Sequence, residues 1–126
     1  LAAAGVAVTV AAATAPRNQP AATMAARWSG AVVPLAQAPA APLIIDALFG
    51  SGLARPLGDA VDSTLDRLRD GGRVVAIDIA SGIDADTGAV LGRPLSPHLT
   101  LALGALKPAH VLEPSAHGRL AVVDIG

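Results

Sequence analysis

The sequence predicts an α/β fold with a mostly parallel sheet, and three observations support that prediction. Short, continuous apolar runs of the kind that form buried strands recur along the chain. Between two of these runs, apolar residues spaced at i, i+4 and i+7 predict a crossover helix. Of the 126 residues, 52% are hydrophobic and 15% are charged, which excludes an intrinsically disordered chain and leaves room for one domain.

The first part of the chain predicts short elements. Leu1–Ala4 is typical of a helix end, because Gly5 follows and glycine readily takes the left-handed conformation there. Val6–Val10 is a short β-branched run and predicts a strand. Ala21–Trp28 predicts a short helix and Ala31–Leu35 a weak strand.

The second part predicts a helix and four buried strands, joined by connections long enough for parallel crossovers. Val61, Leu65 and Leu68 lie on one face of the helix. We expect Asp59 to cap the start of this helix and Gly71 to lie at its end. One sheet is expected to hold all five predicted strands: Val6–Val10, Leu43–Ile45, Arg73–Ile77, Leu99–Leu103 and Leu120–Val123.

Composition excludes several classes of protein. The formal net charge of −1 argues against a nucleic-acid partner, which would require clustered Lys and Arg. Since the chain has no Cys, a disulfide framework and a thiolate metal site are both excluded. The apolar run over residues 1–15 is shorter than the ~20 residues that span a membrane, and no basic stretch precedes it as in a secretory signal. We therefore expect a cytoplasmic protein with no membrane partner.

Two acidic residues follow predicted strands, and in open parallel sheets ligands bind beyond the carboxyl ends of the strands. Asp46 and Asp78 are each followed by a turn of small residues. Glycines in the Gly50-Ser51-Gly52 loop let the backbone approach a ligand, and such a loop suits a phosphate. A single Asp in such a position usually caps a turn. Two at the same sheet edge favour a ligand site instead.

Further polar residues lie near the same predicted edge. Ser81 either caps a turn or joins Asp46 in offering oxygen ligands to a hard cation, whose identity the composition leaves open. Lys107, the only lysine, follows a strand and could contact a phosphate or act near a carboxylate, although a loop lysine is usually just solvated. The three histidines show no recognisable metal-ligand spacing: His98, His110 and His117.

Four motifs, in this order, resemble the NAD(P)H-hydrate epimerase domain, the N-terminal domain of the bifunctional NAD(P)H-hydrate repair enzyme. They are Asp46-Ala-Leu-Phe-Gly-Ser-Gly-Leu, Val75-Ala-Ile-Asp-Ile-Ala-Ser-Gly-Ile-Asp-Ala-Asp-Thr-Gly, Leu103-Gly-Ala-Leu-Lys-Pro-Ala-His and Val122-Val-Asp-Ile-Gly. The resemblance implies one Rossmann-like three-layer αβα sandwich over residues 1–126, usually a homodimer. It also implies interconversion of the R and S forms of NADHX and NADPHX, and a possible fused C-terminal dehydratase domain that restores the cofactor from the S form.

Site residues follow from the resemblance motif by motif. It implies a potassium ion held by Asp46 and Ser81, and it implies that Asp78 is the carboxylate that contacts the substrate. The chemistry of epimerisation makes Asp78 the candidate catalytic acid/base. Lys107 is a weaker candidate, as a neighbour that sets the charge around it. The implied substrate loop consists of Gly50, Ser51, Gly52, Leu53, Ala54, Arg55 and Pro56.

The chain departs from the family pattern in two places. An upstream Asn-Asn-Gly-Gly-Asp motif is absent, so we expect a partial domain truncated before Leu1, and Ala80 stands where the family usually has Pro. Two alternatives stay open. One is a non-catalytic dimerising scaffold of the same fold, which the presence of Asp78 disfavours. The other is a generic nucleotide-binding Rossmann domain, which the absence of Gly from Thr9–Pro16 disfavours.

Overall fold

The computed structural model describes residues 1–16 and 18–126, in two compact units, Leu1–Pro39 and Ala40–Gly126. The smaller unit has 3₁₀ helices at Ala2–Ala4 and Leu35–Gln37, and its strands and helix are β1 (Val10–Ala12), α1 (Gln19–Ala25) and β2 (Val32–Pro34). The larger unit contains β3 (Leu43–Asp46), α2 (Asp59–Leu68), β4 (Arg73–Ile77), β5 (Leu99–Leu103), α3 (Pro108–Leu112), a 3₁₀ helix at Pro114–Ala116 and β6 (Arg119–Val123).

The smaller unit corrects the prediction for the first strand. Strand β1 begins at Val10 rather than Val6, and it pairs in parallel with β2 in a two-stranded sheet separate from β3–β6. The prediction of five strands in one sheet is therefore wrong for this strand. Most of the Val6–Thr9 segment is exposed, and the alanines of β1 offer little apolar surface for cross-strand packing, so the pairing is short. Gly5 does take the left-handed conformation, with a φ of 77°.

The four remaining strands form one parallel sheet in the order β3-β4-β5-β6, which confirms the α/β fold class. In this register Asp46 lies beside Ala76, and Ile77 lies beside Leu101. Because neighbouring parallel strands end at the same edge, the residues that follow β3, β4 and β5 are brought together. This edge carries the polar residues that the sequence singled out.

Helix α2 buries Leu65 and Leu68, as the spacing predicts, but its start differs from the expectation. Gly58, with a φ of 87°, is the N-cap residue, and the helix begins at Asp59, so the prediction that Asp59 caps the helix is wrong. Its carboxylate in the first turn still favours the helix, because the N-terminal end carries partial positive charge. Gly71 lies beyond the last turn, where its N–H donates to the Leu68 carbonyl at 3.0 Å.

A cluster of small apolar residues packs the segment after β4 against α3. Its members are fully or almost fully buried: Ala76, Ile79, Ala80, Ile83, Ala85 and Ala109. The N–H of Ala109 donates to the carbonyl of Ala85 at 2.9 Å, which adds a backbone tie to this packing. The cluster fixes the turn after β4 relative to the start of α3.

His117 lies in the same interior, with no solvent exposure. Its carbonyl accepts a hydrogen bond from Thr100 Oγ1 at 2.7 Å, but its ring nitrogens have no hydrogen-bond partner among the described residues. Burial lowers the pKa of His117, because removal from water penalises the charged ring. The Glu113 carboxylate opposes this shift in part.

No helix among residues 1–16 and 18–126 combines the length and the apolar character needed to cross a membrane.

Gly118 provides a test of backbone packing. Its φ is 61°, and an added Cβ would lie 2.1 Å from the Pro97 carbonyl oxygen, so Gly118→Ala must displace backbone. We expect a loss on the order of 4 kcal/mol in the free energy of unfolding. Gly104→Ala is the matched control, because Gly104 has a φ of 72° but only ordinary contacts, and it should lose about 1–2 kcal/mol. Equal losses in urea unfolding would contradict the steric clash.

The lowered pKa of His117 predicts how stability depends on pH. Because the folded state disfavours the charged ring, stability is full above the ordinary histidine pKa of about 6.5 and falls as the pH drops below it. In the wild-type protein, the free energy of unfolding should fall between about pH 7.5 and pH 5.5, by at most about 1.4 kcal/mol per pH unit for this one group. His117→Phe keeps a buried ring without a titrating group, so this fall should be smaller.

Urea unfolding at both pH values measures this difference. A His117→Phe variant with unchanged pH dependence would show that another group titrates.

Candidate functional site

Asp46 and Ser81 meet at the carboxyl edge of the sheet, although 35 residues separate them. The carboxylate accepts two hydrogen bonds from Ser81, one from its N–H to Oδ2 at 2.9 Å and one from its hydroxyl to Oδ1 at 2.5 Å. Asp46 is the last residue of β3, and Ser81 follows β4, so strand pairing sets their positions. The structure thus brings together the two residues expected to bind a cation.

Burial dominates the electrostatics of this pair. Asp46 is 3% exposed and Ser81 is fully buried. Burial raises the pKa of Asp46, since removal from water penalises the charged form, while the two hydrogen bonds from Ser81 and a long one from Leu48 oppose the shift. No cationic side chain contacts this carboxylate within the described part of the chain.

The donor set around Asp46 fits a cation that takes oxygen ligands. The Ser81 hydroxyl also lies 3.5 Å from the Phe49 carbonyl, so carboxylate, hydroxyl and carbonyl oxygens converge. The N–H of Phe49 donates to the same hydroxyl at 3.0 Å and holds it in place. In residues 1–16 and 18–126, no three His, Asp or Glu side chains gather as a metal-ligand cluster. A single carboxylate with neutral oxygens therefore suits an ion of low charge.

Asp78 follows β4 in a left-handed conformation with a φ of 71°, the only such value outside glycine in the described residues. Asp tolerates this conformation better than most residues, and strained backbone of this kind clusters at functional sites. The Asp78 N–H donates to the Leu101 carbonyl at 2.8 Å, so the turn remains anchored to β5. The sheet therefore fixes the backbone that directs this carboxylate.

One oxygen of Asp78 is held by an ion pair. Oδ1 accepts hydrogen bonds from the Lys107 ammonium and from the Leu103 N–H, the latter at 3.1 Å. The ammonium also donates to the carbonyls of Leu103 at 2.7 Å and Ala105 at 3.1 Å. Side-chain exposure is 15% for Asp78 and 21% for Lys107, so the pair is partly screened from water. Lys107, the weaker candidate from the sequence, is thus a direct partner of Asp78.

The other oxygen of Asp78 faces the glycine loop. A Cβ added at Gly50 would lie 3.5 Å from Oδ2, so the loop backbone runs beside the carboxylate. Oδ2 accepts no hydrogen bond from any described residue, whereas Oδ1 accepts two. Asp78 thus presents one fixed oxygen and one oxygen directed at the loop.

The rest of the predicted substrate loop has two parts. Leu53 is 8% exposed, and its N–H donates to the Gly50 carbonyl at 3.3 Å, so it anchors the loop. The other members are exposed and make no hydrogen bond to Asp46 or Asp78 within the described part of the chain: Ser51, Gly52, Ala54, Arg55 and Pro56.

Sequence reasoning missed the role of a histidine at this edge. His110 Nε2 lies 2.8 Å from the Asp78 carbonyl, and its Nδ1 accepts the Lys107 N–H at 2.9 Å. The ring of His117 packs edge-on against it, with centroids 4.7 Å apart. The Lys107-Pro108-Ala109-His110 spacing could have indicated the capping contact, because Pro favours the first position of a helix and a side chain at the third position can reach back to the cap residue. No pattern indicated the long-range contact with Asp78.

Comparison with known proteins gives the chain a family. The family model described as YjeF-related protein N-terminus matches residues 1–109. An NAD(P)H-hydrate epimerase of Achromobacter xylosoxidans is 48% identical over 61 residues, covering 48% of this chain and 29% of that protein. An NAD(P)H-hydrate epimerase of Limosilactobacillus fermentum is 37% identical over 99 residues, covering 73% and 48%.

The bifunctional NAD(P)H-hydrate repair enzyme Nnr of Mycobacterium tuberculosis is 40% identical over 88 residues, covering 69% of this chain and 18% of that protein. The chain thus spans 18% to 48% of the length of these relatives. A crystal structure of the yeast protein YNL200c shares the fold, with a TM-score of 0.51 and 20% identity over 66% of this chain and 35% of that one. The match of the family model over residues 1–109 shows that the chain belongs to the family of YjeF-related N-terminal domains.

Proposed function

We propose that this chain contributes the site of an isomerase that interconverts the R and S forms of NADHX and NADPHX, the nicotinamide cofactors hydrated on the ring. The names of the relatives support the reaction. The observation that carries the proposal is Asp78, whose Oδ1 is held by Lys107 while Oδ2 faces Gly50. Acid/base catalysis requires a carboxyl group placed within hydrogen-bond reach of the reacting proton.

The substrate's chemistry assigns the work of Asp78. The epimeric carbon carries a hydroxyl and is bonded to the ring nitrogen. Loss of hydroxide and ring opening both give a planar carbon that can be attacked from either face. Asp78 Oδ2 accepts no hydrogen bond from any described residue and so suits a proton acceptor, which favours ring opening. Oδ2 accepts the hydroxyl proton as the carbon–oxygen double bond forms and the carbon–nitrogen bond breaks, with its electron pair going to nitrogen. The nitrogen then attacks the opposite face of the planar carbon, and Asp78 returns the proton to the oxygen.

The residues around Asp78 orient the substrate. Gly50 has no side chain and leaves space beside Oδ2 for the reacting ring. Residues 51–52 and 54–56 of the loop that Leu53 anchors are exposed and are the proposed contacts of the rest of the substrate. Arg55 is exposed and lies on this loop, which places a guanidinium where a phosphate of the dinucleotide could bind.

The residues that would hold a potassium ion are Asp46 and Ser81, with the Phe49 carbonyl beside them. When bound, the ion supplies positive charge that compensates the buried carboxylate and attracts the anionic substrate. Since Phe49 immediately precedes Gly50, these oxygens also fix the start of the substrate loop.

The remaining features of the proposal rest on the family. They are a single domain over residues 1–126, a homodimer, and a fused C-terminal dehydratase domain, which the name of the bifunctional relatives supports. A cytoplasmic location follows from the substrate, because hydrated cofactors form where the reduced cofactors are used.

Asp78→Asn tests the proposed reaction. The variant keeps the shape of the side chain but loses the proton acceptor, so we expect the full-length protein to convert R-NADHX on the order of 10²-fold more slowly. Excess S-specific dehydratase reports the conversion, with the spontaneous rate subtracted. Asp86→Asn, the same change at an exposed position, is the control and should keep the wild-type rate. An Asp78→Asn variant as fast as wild type would leave Asp78 a turn residue and favour the scaffold.

Potassium binding at Asp46 has its own test. Replacing choline chloride by potassium chloride at equal ionic strength should raise the melting temperature of the full-length protein, because an ion bound only to the folded state stabilises it. Asp46→Asn removes the charge that attracts the ion and should abolish the difference. Asp84→Asn, in an exposed turn, should retain it. A potassium effect that persists in Asp46→Asn would place the ion elsewhere.

A further inference from the structure

A single imidazole joins the two residues of the central ion pair through their backbones. His110 Nε2 lies 2.8 Å from the carbonyl oxygen of Asp78, 32 residues earlier in the chain. Nδ1 of the same ring lies 2.9 Å from the N–H of Lys107. The ring is only 2% exposed, so water does not compete for either contact.

The two contacts fix the proton on the ring. A backbone N–H is only a donor, so Nδ1 must accept from Lys107 and carries no hydrogen. A carbonyl is only an acceptor, so Nε2 must carry the hydrogen that it donates to Asp78. The geometry therefore requires the neutral Nε2–H form, because a proton on Nδ1 would set two donors against each other.

The Asp78 carbonyl belongs to a backbone with a φ of 71°, which the protein must hold against its intrinsic preference. His110 binds the oxygen of this strained residue, and the same ring binds the N–H of the residue whose ammonium contacts Oδ1. Resting on the epimerase function proposed above, we infer that His110 is a positioning residue, which sets the direction of Asp78 Oδ2 by holding the backbones of Asp78 and Lys107 in register.

His117 is a buried histidine with which the proposed role of His110 can be compared. Its ring is buried like that of His110 and packs against it, but it makes no hydrogen bond to Asp78 or Lys107 among the described residues. Replacement of the His117 ring by phenyl removes a titratable group but no hydrogen bond to Asp78 or Lys107 among the described residues. Replacement of the His110 ring by phenyl alters packing and removes both backbone contacts.

Three single variants and one double variant of the full-length protein test the inference. His110→Phe should lower kcat about 10-fold to 100-fold, because Asp78 Oδ2 loses its fixed position when both backbone contacts are removed. It should leave KM within about 3-fold because the substrate loop is untouched. His110→Gln retains one acceptor and one donor, so its kcat should lie within about 3-fold of wild type. His117→Phe should keep the wild-type kcat, whatever its effect on melting temperature.

The double variant shows whether His110 acts through Asp78. If it does, His110→Phe should cost little further rate in an Asp78→Asn background, because interacting residues are not additive. Additive losses would overturn the inference. So would a His110→Phe variant with the kcat of wild type, or a His117→Phe variant with an equally low kcat.

A measurement without activity separates this inference from the proposed function. The ¹⁵N resonances of His110 in the wild-type protein near neutral pH should show a bare Nδ1 and a protonated Nε2. If the protein lacks epimerase activity but shows this form, the proposed reaction is refuted, while the contacts of His110 with the backbones of Asp78 and Lys107 still stand. An Nδ1–H form or a charged ring would refute these two contacts, and with them the positioning role of His110, even in an active enzyme.

Discussion

The ion pair between Asp78 and Lys107 organises the carboxyl edge of the sheet. Asp78 follows β4 and Lys107 immediately precedes α3, so the pair joins segments that lie 29 residues apart. The ammonium also donates to the carbonyls of Leu103 and Ala105. These bonds stabilise the turn between β5 and α3. A partly buried pair of this kind is costly to break, because removing one partner leaves the other charge unpaired. The direction of Oδ2 therefore depends on Lys107.

The two carboxylates at the carboxyl edge of the sheet differ in how the protein compensates their negative charge. Asp78 has an ammonium within the protein, whereas Asp46 is more deeply buried and contacts neutral donors among the described residues. Burial accordingly raises the pKa of Asp46. A carboxylate that is paired within the protein needs no bound cation, and its second oxygen stays free for other contacts. One that lacks an internal counter-charge is best stabilised by a bound cation.

The larger unit was predictable to the extent that its strands are continuous apolar runs. Those runs gave the sheet β3–β6 and its strand ends, and so indicated Asp46 and Asp78 correctly as edge residues. The Val6–Thr9 segment is β-branched and predicted a strand, but it is mostly exposed and precedes β1, because so short a run specifies neither a buried face nor a register. The prediction that Asp59 caps α2 was wrong for another reason, because Asp is common both at the cap and in the first turn of a helix.

Side-chain partners across the fold were less predictable than positions. Strand ends can be assigned from local patterns, and that was enough to place Asp46 near Ser81 and Lys107 past a neighbouring strand. The contact of His110 with the Asp78 carbonyl depends on how α3 packs against the turn after β4, and no local pattern encodes that packing. The burial of His117 is likewise a tertiary property.

Ala80 shows how this chain places Ser81 without the proline usual in the family. A proline there would restrict φ by its ring. In this chain the turn is restrained from outside instead, because Ala80 is fully buried in the small-residue cluster and its carbonyl accepts the Ile83 N–H at 3.1 Å. The next residue, Ser81, donates both its N–H and its hydroxyl to Asp46. The rigidity that a ring would provide thus comes from packing and hydrogen bonds, which makes the oxygen cluster depend on the integrity of the core.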